Sequence, residues 1–207
     1  EDTLLKASSV CVLFIGIGGA MSQMLKLTDG ALATSGSMML IICFVLGGLV
    51  GELLNIEGTF ERFGAWLRKK THNESDSGFL SGFIHASLTV CIGAMAIVGS
   101  IQDGLLGDAS LLCAKAALDT VIILVMTASM GKGCIFSAIP VAILQGGVTL
   151  LSRVIAPVMT DAAIASLSFT GSVMIFCVGV NLIWGKTIKV ANLLPTLVFA
   201  VVYTFLF

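Results

Sequence analysis

Two charged residues stand apart from their apolar surroundings. They are Lys115 and Asp119, in the apolar run Cys113-Ala114-Lys115-Ala116-Ala117-Leu118-Asp119-Thr120-Val121. An ionised side chain at the centre of a bilayer costs about 2.5–3.5 kcal/mol even on the gentler insertion scales. At a separation of four on a helix, the two side chains share a face and can pair. Two readings are open: an internal ion pair that holds helices together, or a site for a substrate, ion or proton. Lys115 can snorkel outward along its stem, which leaves Asp119 as the deeper group.

Other polar residues in apolar runs extend the candidate set to Asp119, Lys115, Gln145, Asn181, Asn192, Ser87 and Gln102. Gln145-Gly146-Gly147 combines an amide with two helix-weakening glycines, and Pro140 adds a kink five residues earlier. A helix broken there would expose carbonyls able to ligate a cation or substrate; close packing through small residues is the alternative. Asn181, and Asn192 just before Leu193-Leu194-Pro195, either complete a polar centre or bond across helices. His85 and Glu52 fall near the ends of their runs and read as interfacial. Enzyme templates are missing: no GxSxG, HExxH, Walker loop or GxGxxG occurs. The six cysteines are scattered singly and form no CxxC pair, so neither zinc nor a disulfide framework is implied. A cofactor is not expected.

The elements that must hold these residues follow from composition. Hydrophobic residues make up 57% of the chain and charged ones 11%, with a mean hydropathy of +1.07. Soluble domains carry about 25% charged residues, so lipid is the solvent this chain fits. Long apolar runs then become helices that satisfy their own backbone. Runs near 5–27, 36–54, 79–102, 109–130, 133–153, 162–185 and 190–207 are each about long enough to cross. They predict an all-α, polytopic transmembrane bundle of about seven helices, in a single transmembrane domain over 1–207. Met130-Gly131-Lys132-Gly133 is the tight turn between the fourth and fifth.

The stretch 55–78 is the hydrophilic exception. Apolar residues at 56, 60, 63 and 67 predict an amphipathic helix lying at the membrane surface, followed by a loop. Arg62, Arg68, Lys69, Lys70, Lys132, Lys186 and Lys189 fall on the same side by this topology, as does Lys6, against Lys26 and Arg153 on the other. The positive-inside rule then puts 55–78 in the cytoplasm. No basic n-region opens the chain, so no signal peptide is expected. The basic residues form no aromatic-interleaved patch, which argues against nucleic acid as a partner. Gly47 and Gly51 permit association with a second copy, a homo-oligomer, or packing within one chain.

Ala7-Ser8-Ser9-Val10-Cys11 is echoed by Ala86-Ser87-Leu88-Thr89-Val90-Cys91, and each opens a glycine-interrupted run: Gly16, Gly18 and Gly19, then Gly93 and Gly99. Ala165-Ser166-Leu167-Ser168 is a third echo, in a run expected to point the opposite way. Helix-pair repeats of this kind underlie many transporters.

The run Cys91-Ile92-Gly93-Ala94-Met95-Ala96-Ile97-Val98-Gly99-Ser100-Ile101-Gln102-Asp103-Gly104-Leu105 carries a family resemblance. So do Gly48-Leu49-Val50-Gly51-Glu52-Leu53-Leu54-Asn55-Ile56-Glu57, Phe136-Ser137-Ala138-Ile139-Pro140 and Val190-Ala191-Asn192-Leu193-Leu194-Pro195. Together they resemble the bacterial membrane proteins of domain-of-unknown-function family 554 across nearly the whole chain. The resemblance implies a multi-pass protein of the bacterial plasma (inner) membrane. It also implies one further hydrophobic segment before these seven, hence eight spans at full length. The family pattern includes Lys115, Asp119, Gln145 and Asn192. The expected activity is a small secondary transporter of an ion or small metabolite. The alternatives are a membrane scaffold or regulator acting through the basic surface helix, and an oligomeric channel.

Overall fold

The computed structural model describes residues 2–28, 31–72, 78–91 and 94–206. Helix α1 (Asp2–Met24) leads through strands β1 (Leu25–Thr28) and β2 (Ala31–Thr34) into α2 (Ser37–Leu54) and α3 (Ile56–Lys70). Then come α4 (Phe79–Cys91), α5 (Ala94–Leu106), α6 (Ser110–Met130), a 3-10 segment (Lys132–Ser137) and α7 (Ala138–Leu150). Short turns α8 (Ser152–Ile155) and Ala156–Val158 precede α9 (Asp161–Trp184). A 3-10 turn (Val190–Leu193) opens α10 (Pro195–Leu206).

Among the described residues, four of the expected spans stand as continuous helices long and apolar enough to cross a bilayer: Ser37–Leu54, Ser110–Met130, Lys132–Leu150 and Asp161–Trp184. The first and last expected spans correspond to shorter apolar helices, Ser9–Met24 and Val190–Leu206. The third is not one helix. It is divided into α4 and α5, whose axes differ by 61°, and Ile92 and Gly93 between them lie outside the described residues. The hairpin Leu25–Thr28/Ala31–Thr34 extends past the expected end of the first span, with Leu25 opposite Thr34. Asp29-Gly30, a favoured hairpin dipeptide, joins the strands and lies outside the described residues.

Glycines set how closely the bundle packs. Around α1 and α9, Leu13 faces Gly179 and Gly16 faces Phe176, so the helices run antiparallel. A Cβ at Gly16 would sit 2.5 Å from the Phe176 backbone nitrogen. Gly47 and Gly51 of α2 press in the same way on Thr196 and on the Asn192 carbonyl, so this small-residue pair packs within one chain. Gly146 and Gly147 behave differently: α7 runs unbroken through them, with nothing in reach of an added Cβ.

Helix α3 forms where its periodicity puts it, and part of its apolar face is occupied by the bundle. Gly64 lies against Leu80 and Phe83, and Leu67 is buried. Its start is fixed by Asn55, whose left-handed backbone (φ 47°) ends α2 and whose side chain accepts the Gly58 N–H. Arg62, Arg68, Lys69, Lys70, Lys132, Lys186 and Lys189 gather at the α3 end of the bundle. The hairpin, α8 and the α5–α6 turn lie at the other.

Candidate functional site at the break in the third span

The last carbonyls of a helix have no partner within it and carry part of its negative dipole. Where α4 stops inside an apolar bundle, that deficit cannot be met by water. Lys115 of α6 meets it: its ammonium donates to the Val90 carbonyl at 2.9 Å and pairs with Asp119 one turn along the same helix. Lys115 is 6% exposed, whereas the Asp119 side chain is 21% exposed. The carboxylate is therefore the more accessible of the two in the packed bundle.

Asp119 opens onto a cavity of about 350 Å³ between α6 and the 3-10 segment leading into α7. Gln145, Thr120, Thr127 and Ser137 line it. The Thr120 and Thr127 hydroxyls donate back to the Ala116 and Ile123 carbonyls (2.7 and 2.6 Å), which leaves their oxygen lone pairs as acceptors. A carboxylate, hydroxyl oxygens and one amide thus line the cavity, and the carboxylate and the Val90 carbonyl hold a tethered cation at its edge. Such a set can receive a cation, a proton, or a small molecule bearing N–H or O–H donors.

Of the residues singled out in the sequence, Lys115, Asp119 and Gln145 come together here. Ser87 lies on α4, fully buried, with no partner for its Oγ among the described residues, and it faces an apolar cavity of about 470 Å³ under α3. Gln102 is half-buried on α5, about two turns past the break. Asn181 and Asn192 lie at the α3 end of the bundle. Asn181 accepts the Thr187 and Ile188 N–H groups (3.0 and 2.9 Å) and the Thr187 hydroxyl (3.1 Å), and donates to the Ile188 carbonyl (2.6 Å). It closes the turn after α9. Asn192 accepts the Glu57 N–H at 2.7 Å.

Sequence reading missed the group around Asn181. Glu57, 4% exposed, receives the Ala191 N–H at 3.1 Å and the Lys186 ammonium at 3.0 Å, and Lys186 also pairs with Glu61. Burial pulls the Lys186 pKa down, but the hydrogen bonds and charges of Glu61 and Glu57 outweigh it and hold the ammonium above the usual lysine value. The available signal was the separation of four between Glu57 and Glu61, which puts two carboxylates on one face of α3.

Comparison with known proteins fixes the family. The sequence profile described as "Protein of unknown function (DUF554)" matches residues 1–205. The chain belongs to this family. It is 27% identical over 205 residues to "Uncharacterized membrane protein YdfK" of Bacillus subtilis (strain 168), covering 99% of this chain and 83% of that protein. It is 26% identical over 168 residues to "Uncharacterized protein YqgA" of Escherichia coli (strain K12), covering 78% and 70% respectively. No solved structure matches. With its apolar helices, this DUF554 member is a helical membrane protein of an uncharacterised family.

Proposed function

We propose that this protein is a small secondary transporter of an ion or small metabolite, with its binding site at the break between α4 and α5. The observation that carries the reading is the Lys115 ammonium, shared between the Val90 carbonyl and Asp119 on the edge of a cavity that Gln145 also lines. Broken helices whose ends meet charged ligands near mid-membrane are the usual construction of transporter sites. A ligand that takes Asp119 away from Lys115 makes one state, and the restored pair makes another; alternating access needs such a pair of states. Moving one charge through 100 mV is worth about 2.3 kcal/mol, enough for modest accumulation.

The basic end of the bundle faces the cytoplasm of a bacterial plasma membrane in this reading, which the positive-inside bias supports. The echo between Ala7–Cys11 and Ala165–Ser168, on helices that run antiparallel, supports an ancestral duplication with inversion. The scaffold reading keeps one observation of its own. Trp66, Lys69 and Lys70 of α3 are exposed at the basic end, where an amphipathic helix meets anionic lipid.

Thermal unfolding of the purified protein across a panel of ions, pH values and common metabolites separates these readings. A ligand at 100 times its dissociation constant stabilises the native state by about 2.7 kcal/mol. A compound that raises the melting temperature of the parent but not of Asp119→Asn places binding at this site. A substitution that changes melting temperature alone, with no compound acting on the parent, favours the scaffold.

A further inference from the structure

A second cavity, of about 320 Å³, lies at the basic end of the bundle between α3, α4, α9 and the end of α6. Glu57, Glu61, His85 and Lys186 line it. Two carboxylates four residues apart on α3 share the one ammonium of Lys186. Counting these three groups, −2 and +1 leave one net negative charge.

His85 is 8% exposed, and its Nδ1 lies 2.8 Å from the Ser81 carbonyl. The Ser81 hydroxyl lies 3.2 Å from the same nitrogen; in the tautomer whose Nδ1–H donates to the carbonyl, Nε2 is left as an acceptor. Both of these contacts run through Nδ1. Asn181, on the same wall, has its amide committed to the turn at Thr187 and Ile188. The cavity therefore offers carboxylate and imidazole acceptors, and its cationic donor is a half-exposed lysine on a flexible four-carbon stem.

We infer that this cavity binds a small organic ammonium ion, a primary amine, which takes the place of the Lys186 ammonium between Glu57, Glu61 and His85. Lys186 is then a tethered stand-in that fills the site when no ligand is present. A primary ammonium has three diverging N–H donors, which suits acceptors spread around a cavity. A metal ion needs its ligands close together, and among the described residues no three His, Cys, Asp or Glu side chains are so placed. Ile84 and Leu88 supply an apolar wall for a short alkyl chain. The inference does not depend on the site at Asp119, which lies further along the bundle.

The test uses the full chain in detergent, with ethylammonium chloride as the probe. Tetramethylammonium chloride, which has no N–H donor, is the control at equal ionic strength. Ethylammonium should raise the melting temperature saturably, and tetramethylammonium should not. Lys186→Met removes the tethered competitor, so half-saturation should fall roughly tenfold if the stand-in fills the site about nine-tenths of the time. Glu61→Gln, at a half-exposed position that leaves Glu57 to dock α3, should raise it by a similar factor. Asp119→Asn should respond as the parent does. Equal responses to the two salts, or an unchanged or weaker response in Lys186→Met, would overturn the inference. Loss of the response in Asp119→Asn would overturn it too, by moving the amine to the other site. If instead the mid-membrane reading fails in its own ligand panel, the ethylammonium response remains.

Discussion

The two polar clusters of this bundle use similar residues to different ends. At the α3 end, the side-chain groups of Asn181, Asn192 and Glu57 bind mostly to main-chain atoms: Thr187, Ile188, Glu57 and Ala191. These bonds stitch the turn after α9 to the start of α3 and fix where the chain goes. At the break in the third span, Lys115 and Asp119 bind each other directly, the Lys115 ammonium also donates to one helix-end carbonyl, and a cavity lies beside the carboxylate. A polar group bonded to backbone has one arrangement. A side-chain pair with an acceptor-lined cavity beside it has a second arrangement within reach. A ligand can exploit only the latter, which at the α3 end describes the Lys186 pairs with Glu57 and Glu61 and not the backbone-bonded amides.

The largest effect should come from dividing the Lys115–Asp119 pair. Lys115→Met leaves Asp119 and the Val90 carbonyl without their cation, and removing one partner of a buried pair costs about 3–5 kcal/mol. The double variant Lys115→Met/Asp119→Leu should recover most of that loss, because replacing both buried charges by apolar groups is often neutral. Chemical denaturation of the three proteins in one detergent measures this. A double variant as unstable as the single would mean that the pair is fixed by further bonds, as the other cluster is.

Asn181→Ala should cost less, about 1–3 kcal/mol, since it strands the Thr187 and Ile188 amides and the Ile188 carbonyl in a part-buried turn. Here no second side-chain change should restore stability, because the orphaned partners are main chain. Hydrogen exchange at Thr187 and Ile188 reads the loss directly, and protection that survives in Asn181→Ala would blur the contrast between the clusters.

The smallest effect concerns Lys186. Its pKa is raised in the folded protein, so its stabilisation is complete below the ordinary value of 10.5 and fades as pH climbs through the folded value. The ammonium is about half exposed, so the exposed-pair scale of about 0.2–1 kcal/mol applies. Between pH 9 and pH 12 the parent should therefore lose slightly more stability than Lys186→Met does. Parallel pH curves would remove the ion pair from the description of this cluster.

Much of the architecture was legible because bilayers impose strong rules. Apolar runs located the spans, the spacing of 56, 60, 63 and 67 located α3, and Gly131, with φ 98°, made the expected turn before Lys132. The break was harder to place. Glycines fall in most of the runs, at 16–19, 47–51, 93–99, 146–147 and 171–179 among others, yet only the third run is divided in two. Alone, a glycine weakens a helix wherever it falls, and a glycine in an apolar run does not by itself mark a break. At Gly16 the backbone of Phe176 packs against α1, which stays one helix. At Gly146 and Gly147 nothing approaches, and α7 stays one helix as well.

The site residues divided along the same line. Lys115 and Asp119 were legible because their pairing is local, four residues apart on one helix. The role of Asn181 was not, since its partners lie across a turn whose path the sequence does not specify. Glu57 read as part of a solvated face because α3 taken alone has one. Only docking against the turn at Ala191 buries it.

Uptake into proteoliposomes shows whether Asp119 carries transport. The substrate is whichever compound of the ligand panel stabilises the parent, and the driving force is an imposed gradient or potential. Parent liposomes should take it up saturably, while Asp119→Asn, reconstituted at equal density, should lose at least tenfold in rate, as expected if about 1.4 kcal/mol or more of binding is lost. An Asp119→Asn protein that carries the compound at the parental rate would contradict the mid-membrane site.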